Sequence, residues 1–416
     1  MAEVEREVDR ATLDSFLALD LLRIGNPDCS HYSSSVFLYP VGNLLIASDY
    51  YNQSSGPDSV FPAIQTGTLR LLSLLPESSA NDGLDLCSGT GVCAFAMSQR
   101  VKRIVACDIT ERATHFARFN RLLNNCTNVE IAKGDLYCAV AGSRFDRIVA
   151  HPPYAPSAEA VEVWRDGGAT GEAVTKRIIE GLPDSLNPGG EFFAVCLGGD
   201  RREMPFERRA REWLGEKQRE FDIIWAVQKD FLPHELAQSA TAREGPGVDD
   251  DQTARLEEAF HELGVSSFSF GCLGLKRHGA EARNAWTFRT RLSSKSDSKS
   301  FETAFERNRQ CSEPAAVAEL RPRLAPALLV KMTHRVEQSK LVPDEFRMEC
   351  DWPFAHGLKA DPWVLPLIAR FNGSLKVAKI HAKARADGAV PDGFHLEHFA
   401  SLVATMMRYG YLTAGE

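Results

Sequence analysis

Several hallmarks of common protein classes are missing from this chain of 416 residues, and each absence excludes a class. No run of about eighteen apolar residues occurs, which excludes the usual transmembrane helix. The acidic start MAEVEREVDR lacks the basic head and apolar run of a signal peptide. The ten cysteines form no CxxC pair, so neither a zinc site nor a disulfide framework is indicated. We therefore expect a cytoplasmic protein with reduced core thiols, no metal and no membrane contact.

An excess of basic charge is also missing. The formal net charge of −8 disfavours unspecific binding to a phosphate backbone. The arginine-rich stretch 201–211 leaves a local RNA-binding face open, although such a run is more often a solvated helix face. Hydrophobic residues at 44% and charged residues at 25% are typical of a folded globular protein.

The alternation of patterns along the chain predicts an α/β fold. From Gly83 onward, short apolar runs alternate with amphipathic stretches, which predicts a doubly wound, mostly parallel sheet of seven strands. Apolar runs near Phe221 and Phe268 predict a final antiparallel pair. The stretch 110–125 predicts a crossover helix with Thr110 as its N-cap. We expect its apolar face to contain Phe116, Phe119, Leu122 and Leu123.

Length above the usual ~100–200 residues per domain predicts two or three folded units. The stretch 293–300 is rich in Ser and Lys and has no apolar residue to bury, which indicates a domain linker. Three helical patterns and a strand-like end near the C-terminus resemble a winged-helix module. The predicted units are an N-terminal helical segment (1–40), the main domain (41–290), the linker (291–300) and the winged-helix-like module (301–416).

The strongest local signal is LDLCSGTG at 84–91, a strand followed by a glycine-rich turn and an apolar helix. Such a turn lets a ligand approach the backbone, and the helix N-terminus attracts a carboxylate. The carboxylate of Asp85 would accept hydrogen bonds from a ligand ammonium. A dinucleotide-binding turn needs a third glycine where Ala94 stands, so methyl transfer is favoured over hydride transfer. The predicted cofactor contacts here are Asp85, Cys87, Gly89, Thr90 and Gly91.

Two further acids follow the next two predicted strands. Asp108 stands about 20 residues beyond the glycine-rich turn, where an acid accepts both ribose hydroxyls, with Ile109 beside it. Asp135 ends the third strand, where an acid can accept the amine of an adenine ring, and Leu136 would line that pocket. An isolated Asp135 would more often be a turn residue, but the series of three acids favours a binding role.

The fourth motif, HPPY at 151–154, ends the fourth predicted strand, at the edge where open α/β sheets bind ligands. Together the four motifs resemble class I S-adenosylmethionine-dependent methyltransferases with an Asn-Pro-Pro-Tyr motif. That group includes enzymes that modify release-factor glutamine and amino groups of adenine or guanine. The stretch RDGGATGE at 165–172 is similar to the Asp-Gly-Gly loop of the glutamine-modifying branch.

The resemblance implies roles for the motif residues. In that family the first motif residue and the carbonyl of the next proline accept hydrogens from the acceptor's amino group. Pro152, Pro153 and Tyr154 match, and Tyr154 would stack on a planar acceptor, whereas His151 departs from the pattern. His151 is then a hydrogen-bond acceptor, a general base, or the mark of a lineage that lost activity. Upstream, Thr66 is a predicted contact of the cofactor's methionine end, with Gln65 and Thr68 as further candidates.

Three functions remain open at this point. The motifs favour methylation of a nitrogen on a protein or peptide, with S-adenosylmethionine as cofactor. An amino group of RNA or a nucleotide is the alternative acceptor. The third hypothesis is a regulatory protein that binds the cofactor without turning it over. The oligomeric state is not predicted.

Overall fold

The computed structural model describes residues 4–18, 22–24, 31–50, 56–157, 162–202, 204–241, 250–279, 284–360, 364–391 and 393–414. Parts of the sequence predictions fall outside these residues: Cys29 among the expected reduced thiols, and residues 361–363 and 392 of the winged-helix-like module. No described helix is long and apolar enough to cross a membrane. The cytoplasmic location stays a prediction.

Helices and strands alternate through most of the described chain. The helices are α1 (Val4–Glu7), α2 (Arg10–Ala18), α3 (Thr66–Leu74), α4 (Val92–Met97), α5 (Glu111–Leu123), α6 (Ala173–Ser185), α7 (Phe206–Glu212), α8 (Pro233–Thr241), α9 (Asp250–Glu262), α10 (Ser300–Gln310), α11 (Pro314–Glu319), α12 (Val364–Ile368), α13 (Val377–Ala386) and α14 (Leu396–Arg408). The strands are β1 (Leu22–Ile24), β2 (Tyr32–Ser34), β3 (Phe37–Val41), β4 (Leu44–Ser48), β5 (Ala80–Leu86), β6 (Val101–Asp108), β7 (Val129–Lys133), β8 (Phe145–Ala150), β9 (Leu186–Arg201), β10 (Phe221–Phe231), β11 (Val265–Arg277), β12 (Thr287–Arg291), β13 (Pro322–Leu324), β14 (Leu329–Glu337), β15 (Lys340–Cys350), β16 (His356–Ala360) and β17 (Leu412–Ala414).

The central sheet has eight strands in the order β12-β10-β11-β9-β8-β5-β6-β7. The strands from β9 to β7 run parallel, while β11 pairs antiparallel with both β9 and β10. The predicted doubly wound sheet and its final antiparallel pair are confirmed. Beyond the seven predicted strands, β12 adds an eighth at the edge, parallel to β10.

Two apolar clusters cover the two faces of this sheet. One contains Phe95, Val149 and Phe193, and the other contains Ile148, Phe192 and Trp225. Neighbouring residues such as Ile148 and Val149 enter opposite clusters because successive side chains of a strand point to opposite faces. Continuous apolar runs in the sequence therefore correspond to strands buried on both sides.

The crossover helix α5 begins as predicted and buries Phe116 as predicted, but the end of its predicted apolar face is exposed. The hydroxyl of Thr110 accepts a hydrogen bond from the backbone N–H of Ala113 at 3.0 Å, which confirms the N-cap. The prediction that Leu122 and Leu123 belong to the buried face is wrong, and Leu122 is 72% exposed. The buried positions are Ala113, Thr114, Phe116, Ala117 and Asn120, which lie on one face of a helix with 3.6 residues per turn.

The predicted linker is docked on the main domain. The guanidinium of Arg70 on α3 donates to the carbonyls of Ser293 and Ser296. Helix α10 follows directly, and its Phe301 packs edge-on against Phe193 with ring centroids 5.5 Å apart. This polar segment can pack against the main domain because its backbone carbonyls accept hydrogen bonds from the charged guanidinium of Arg70. The predicted domain boundaries themselves stay predictions.

The C-terminal part contains elements that the sequence indicated and one that it did not. Helices α12, α13 and α14 and strand β17 coincide with the predicted helical patterns and strand-like end. Strand β17 pairs with β13, and α11 and α13 pack against α14. The sheet β14-β15-β16, however, was not predicted. The winged-helix assignment stays a prediction.

Candidate active site

Three carboxylates lie along one edge of the central sheet. Asp85 and Asp108 stand at the carboxyl ends of β5 and β6, and Asp135 follows β7 by two residues. Because these strands are adjacent and parallel, the three side chains share one crevice. Burial raises the pKa of the Cys87 thiol well above its usual value, and the charges of Asp108, Asp85 and Asp135 raise it further. The structure thus brings the predicted acids together around Cys87.

Asp85 is the most deeply buried of these acids. Its side chain is 2% exposed, and one carboxylate oxygen accepts a hydrogen bond from the backbone N–H of Ala94 at 2.9 Å. Burial raises the pKa of Asp85 to about 8, and the nearby charge of Asp108 contributes to the rise. A ligand ammonium placed beside this carboxyl would lower its pKa and favour the charged form.

Asp108 holds the glycine-rich turn. One carboxylate oxygen accepts from the N–H of Gly89 at 2.9 Å and the other from the N–H of Thr110 at 3.1 Å. Burial raises the pKa of Asp108, although both hydrogen bonds oppose that rise. The next side chain, Ile109, is 50% exposed, so it forms an apolar rim beside the acid.

The turn from Cys87 to Gly91 contains three residues with positive φ. Cys87 has a φ of 55°, a conformation that a non-glycine residue adopts at some cost. A Cβ at Gly91 would lie 2.6 Å from the ring of Phe95, so only glycine fits. A Cβ at Gly89 would have no neighbour within 4 Å, which leaves backbone open on the crevice side. Thr90 is buried between these glycines.

The third acid and its neighbour differ from the first two in exposure. Asp135 is partly exposed and accepts from the guanidinium of Arg177 on α6 at 2.7 Å. Leu136 is buried and has a φ of 49°, which turns the chain sharply after the acid. Cys138, in the short turn that follows, is exposed, so the prediction of a core thiol is wrong for this residue.

His151 follows β8, next to the edge that carries Asp85. Its Nδ1 lies 3.2 Å from the hydroxyl oxygen of Thr68 on α3. Its ring lies parallel to the ring of Tyr154, with centroids 5.7 Å apart. Burial lowers the pKa of His151 to about 4, so the imidazole is neutral at pH 7. Thr66, the predicted contact at the start of α3, is exposed, whereas Thr68 is the residue that reaches His151.

The rest of the motif forms a loop that pairs with the glycine-rich stretch after it. Pro152 is buried, while Pro153 and Tyr154 are half-buried. Beyond Tyr154, the N–H of Ala155 donates to the carbonyl of Arg165 at 2.9 Å, and the N–H of Gly167 donates to the carbonyl of Ala155 at 2.8 Å. The segment that directly follows the HPPY motif therefore pairs with the stretch that resembles the glutamine-modifying branch.

Glu172, at the end of that glycine-rich stretch, is a site residue that sequence reasoning missed. It is buried, accepts two hydrogen bonds from the guanidinium of Arg209 at 2.9 and 2.6 Å, and accepts the N–H of Gly199 at 2.7 Å. This pair attaches the loop to β9 and α7. The interpretation of 201–211 as a solvated or RNA-binding face is wrong for Arg209, because its guanidinium is buried and forms an ion pair with Glu172. Arg211 likewise donates to the carbonyls of Gln218 and Trp286.

Phe270 on β11 also went unnoticed in the sequence. Its ring packs against Tyr154 with centroids 5.2 Å apart. A Cβ at Gly67 would lie 3.2 Å from the Phe270 ring and 3.6 Å from Cε1 of His151. Phe270, Tyr154 and His151 therefore converge on the start of α3. The only sequence signal for Phe270 was its place in an apolar strand.

Comparison with known proteins supports the motif assignment. The family model described as methyltransferase small domain matches residues 59–218. A putative protein N5-glutamine methyltransferase of Methanocaldococcus jannaschii is 34% identical over 146 residues, which cover 33% of this chain and 73% of that protein. The chain belongs to this family of class I S-adenosylmethionine-dependent methyltransferases.

Other members of the methyltransferase family align over a shorter share of their length. A ribosomal protein uL3 glutamine methyltransferase of Xylella fastidiosa is 34% identical over 176 residues, covering 39% of this chain and 56% of that protein. A release factor glutamine methyltransferase of Koribacter versatilis is 29% identical over 161 residues, covering 35% of this chain and 56% of that protein. The chain thus spans about half the length of these two relatives.

Proposed function

We propose that this methyltransferase transfers the methyl group of S-adenosylmethionine to a side-chain nitrogen of a protein, most simply the amide of a glutamine. The observation that carries the proposal is the pairing of Ala155 and Ser157, directly after the HPPY motif, with the loop at Arg165–Gly168, beside the edge with three acids. The names of the relatives agree with an amide acceptor.

The residues at this edge fit the cofactor. Asp108 stands where it can accept the ribose hydroxyls, and the open side of Gly89 lets a ligand approach the backbone. Asp85 would accept from the ammonium, while Asp135 and Leu136 would border the adenine. When bound, S-adenosylmethionine supplies a methyl group on a positively charged sulfur, which is already activated for transfer.

The chain's own contribution is then to orient the acceptor nitrogen. Such alignment within ~3–3.5 Å of the reacting carbon is a major source of rate enhancement. His151 is neutral at pH 7, so its imidazole can accept a hydrogen bond through its unprotonated nitrogen. A pKa of about 4 makes this residue a weak base at pH 7, which favours the hydrogen-bonding role over general-base catalysis. The half-buried ring of Tyr154 provides a flat surface against which a planar amide can stack.

A first experiment tests the cofactor. We expect calorimetric titration to show micromolar binding of S-adenosylmethionine and no binding of NAD. Asp108→Asn removes the charge from the predicted ribose contact, so the dissociation constant should rise about tenfold or more. Asp387→Asn is the matched control, because this exposed acid pairs with Arg370 in the C-terminal part. Equal affinity in wild type and Asp108→Asn would contradict the ribose contact.

A second experiment tests the acceptor. Purified enzyme, labelled S-adenosylmethionine and either a release factor or ribosomal protein uL3 should give a labelled protein. Acid hydrolysis of a methylated amide releases methylamine, whereas a methylated lysine keeps its methyl group through hydrolysis. Labelled methylamine is therefore the expected product, and its absence from a labelled protein would exclude an amide acceptor.

RNA remains the second candidate because α13 carries the exposed cations Lys379, Lys383 and Arg385. Adding total RNA to the same assay, with and without ribonuclease, separates the two acceptors. If ribonuclease removes the label, the acceptor is an amino group of RNA, and the proposal of a protein acceptor fails. Cofactor binding without transfer to any of these acceptors would favour the non-catalytic hypothesis.

A further inference from the structure

The imidazole of His151 is held by the first turn of helix α3. Thr68 is buried, and its hydroxyl oxygen lies 3.2 Å from Nδ1. Gly67 gives the ring room, because a Cβ there would lie 3.6 Å from Cε1. Tyr154 lies parallel to the same ring, with an angle of 4° between the planes. The orientation of the imidazole is thus fixed by residues from α3 and from its own loop.

This arrangement distinguishes the two ring nitrogens. Nδ1 is committed to Thr68, whereas the described residues offer Nε2 no hydrogen-bond partner. A neutral imidazole carries one proton, and the bond made by one nitrogen decides which nitrogen carries it. The distance of 3.2 Å fits a hydrogen bond between Nδ1 and the hydroxyl of Thr68, in which either group can be the donor.

We propose that Thr68 is a positioning residue that accepts Nδ1–H of His151 and so leaves the lone pair of Nε2 facing the acceptor. This inference rests on the proposed function, since it concerns the same acceptor site. A threonine hydroxyl can donate or accept, and here it acts as the acceptor. The imidazole then offers the acceptor site a lone pair, as the oxygen of an asparagine amide would.

The tautomer determines which chemical group the site recognises. A lone pair on Nε2 accepts a hydrogen from an amide or amine N–H. The opposite tautomer would present Nε2–H, which donates to a carbonyl or carboxylate oxygen. If an amide nitrogen entered instead, Nε2–H and the amide N–H would be two donors facing each other. Thr68 therefore contributes to the choice of a nitrogen acceptor without touching it.

Nitrogen NMR of the full-length protein, labelled with ¹⁵N in histidine, tests the tautomer directly. The signals of His151 are assigned by their loss in His151→Asn. We expect Nδ1 to have the shift of a protonated ring nitrogen and Nε2 the shift of an unprotonated one. A protonated Nε2, or averaged shifts for the two nitrogens, would overturn the proposal. This measurement needs no acceptor, so its outcome is separate from that of the proposed function.

Substitution of Thr68 supplies the second test. Thr68→Val keeps the shape but removes the hydroxyl, so both His151 shifts should move toward the Nε2–H form. Thr68→Ser should retain the wild-type shifts. Ser73→Ala is the control, since this exposed hydroxyl lies on the same helix and donates to the carbonyl of Arg70. Unchanged shifts in Thr68→Val would show that Thr68 does not set the tautomer.

Kinetics then connect the tautomer to the reaction. With an acceptor identified, Thr68→Val should lower kcat about tenfold while KM for S-adenosylmethionine stays the same. Thr68→Ser should restore most of kcat. A rise in KM for the cofactor with unchanged kcat would assign Thr68 to cofactor binding and overturn the positioning role. If no acceptor is methylated, the proposed function fails while the NMR result still stands.

Discussion

At the scale of single residues, Cys87 shows how the glycine-rich turn differs from the usual motif. The turn requires a φ of 55° at this position, and an L side chain adopts that conformation at a cost of about 1–3 kcal/mol. Burial, together with the charges of three nearby acids, raises the pKa of this thiol, so it stays protonated. The site therefore contains local strain that a glycine would not have.

We expect Cys87→Gly to raise the free energy of unfolding by about 0.5–1 kcal/mol, because relief of strain exceeds the added freedom of the unfolded chain. Urea denaturation measures this change. Cys93→Gly is the matched control: it lies in helix α4, where glycine should destabilise by about 1 kcal/mol or more. A lower free energy of unfolding in Cys87→Gly than in wild type would contradict backbone strain at Cys87.

His151 illustrates how burial changes the meaning of a motif residue. A solvated histidine near its ordinary pKa of about 6.5 would change charge close to physiological pH. Here burial lowers the pKa to about 4, so the charged form is disfavoured. The unfolded chain binds a proton on this residue near pH 6.5 and the folded chain only near pH 4. This histidine therefore makes the fold less stable as the pH falls from 6.5 to 4.

The corresponding prediction concerns the pH dependence of the reaction. Between pH 5 and 9 the folded protein should keep His151 neutral, so kcat should show no rise with a midpoint near 6.5 from this residue. A pH–rate profile of wild type and His151→Asn checks this. A midpoint near 6.5 that is present in wild type and absent in His151→Asn would establish general-base catalysis instead.

At the scale of elements, Asn120 of α5 and Asn124, which directly follows α5, attach the hairpin β3–β4 to the main domain. Asn120 accepts the N–H of Ala47 at 2.7 Å and donates to its carbonyl at 2.9 Å. Asn124, one turn later, forms the same pair of bonds with Leu45. The side-chain amides thus form hydrogen bonds with the backbone N–H and C=O groups at the edge of β4, as a neighbouring strand would. Asn120 also donates to the carbonyl of Thr90, inside the glycine-rich turn.

We expect Asn120→Ala to lower the free energy of unfolding by about 2–4 kcal/mol, because it leaves buried backbone groups without partners. Asn124→Ala is the control, because its two bonds to Leu45 are exposed and water can replace them, so it should cost less than about 1 kcal/mol. Urea denaturation of both variants makes the comparison. Equal effects of the two substitutions would show that burial of the backbone groups is not the cause.

At the scale of the whole molecule, the C-terminal part and the main domain share one core. Phe301 and Phe354 pack edge-on with ring centroids 5.3 Å apart, and both belong to the cluster that contains Phe193. Nε2 of His356 lies 2.9 Å from the hydroxyl oxygen of Thr290, which belongs to the edge strand β12. Removal of all residues beyond 300 would therefore expose the core of the main domain.

This shared core predicts one cooperative unfolding transition for the full chain. Phe301→Ala should lower the stability by about 3–5 kcal/mol and shift that transition without splitting it. Fluorescence and circular dichroism during urea denaturation should give the same midpoint. Phe394→Ala is the control, because this half-buried ring packs against the C-terminal cluster. Two separate transitions in wild type would contradict a shared core.

Much of the fold and part of the site followed from local patterns. Strands buried on both faces appear as apolar runs, and each of the acids Asp85, Asp108 and Asp135 stands at or just beyond the end of such a run. The sequence by itself therefore determined the parallel sheet, the edge at which the three acids stand and the N-cap at Thr110, because strand ends, turns and caps depend on neighbouring residues.

Only the tertiary structure decided which distant side chains meet. Thr68 reaches His151 across 83 positions of sequence, and Asn120 reaches Ala47 across 73. Glu172 likewise accepts from Arg209 only after β9 and α7 pack together. Whether a polar residue such as Asn120 faces water or the core depends on what packs against its helix, and residue periodicity does not contain that information.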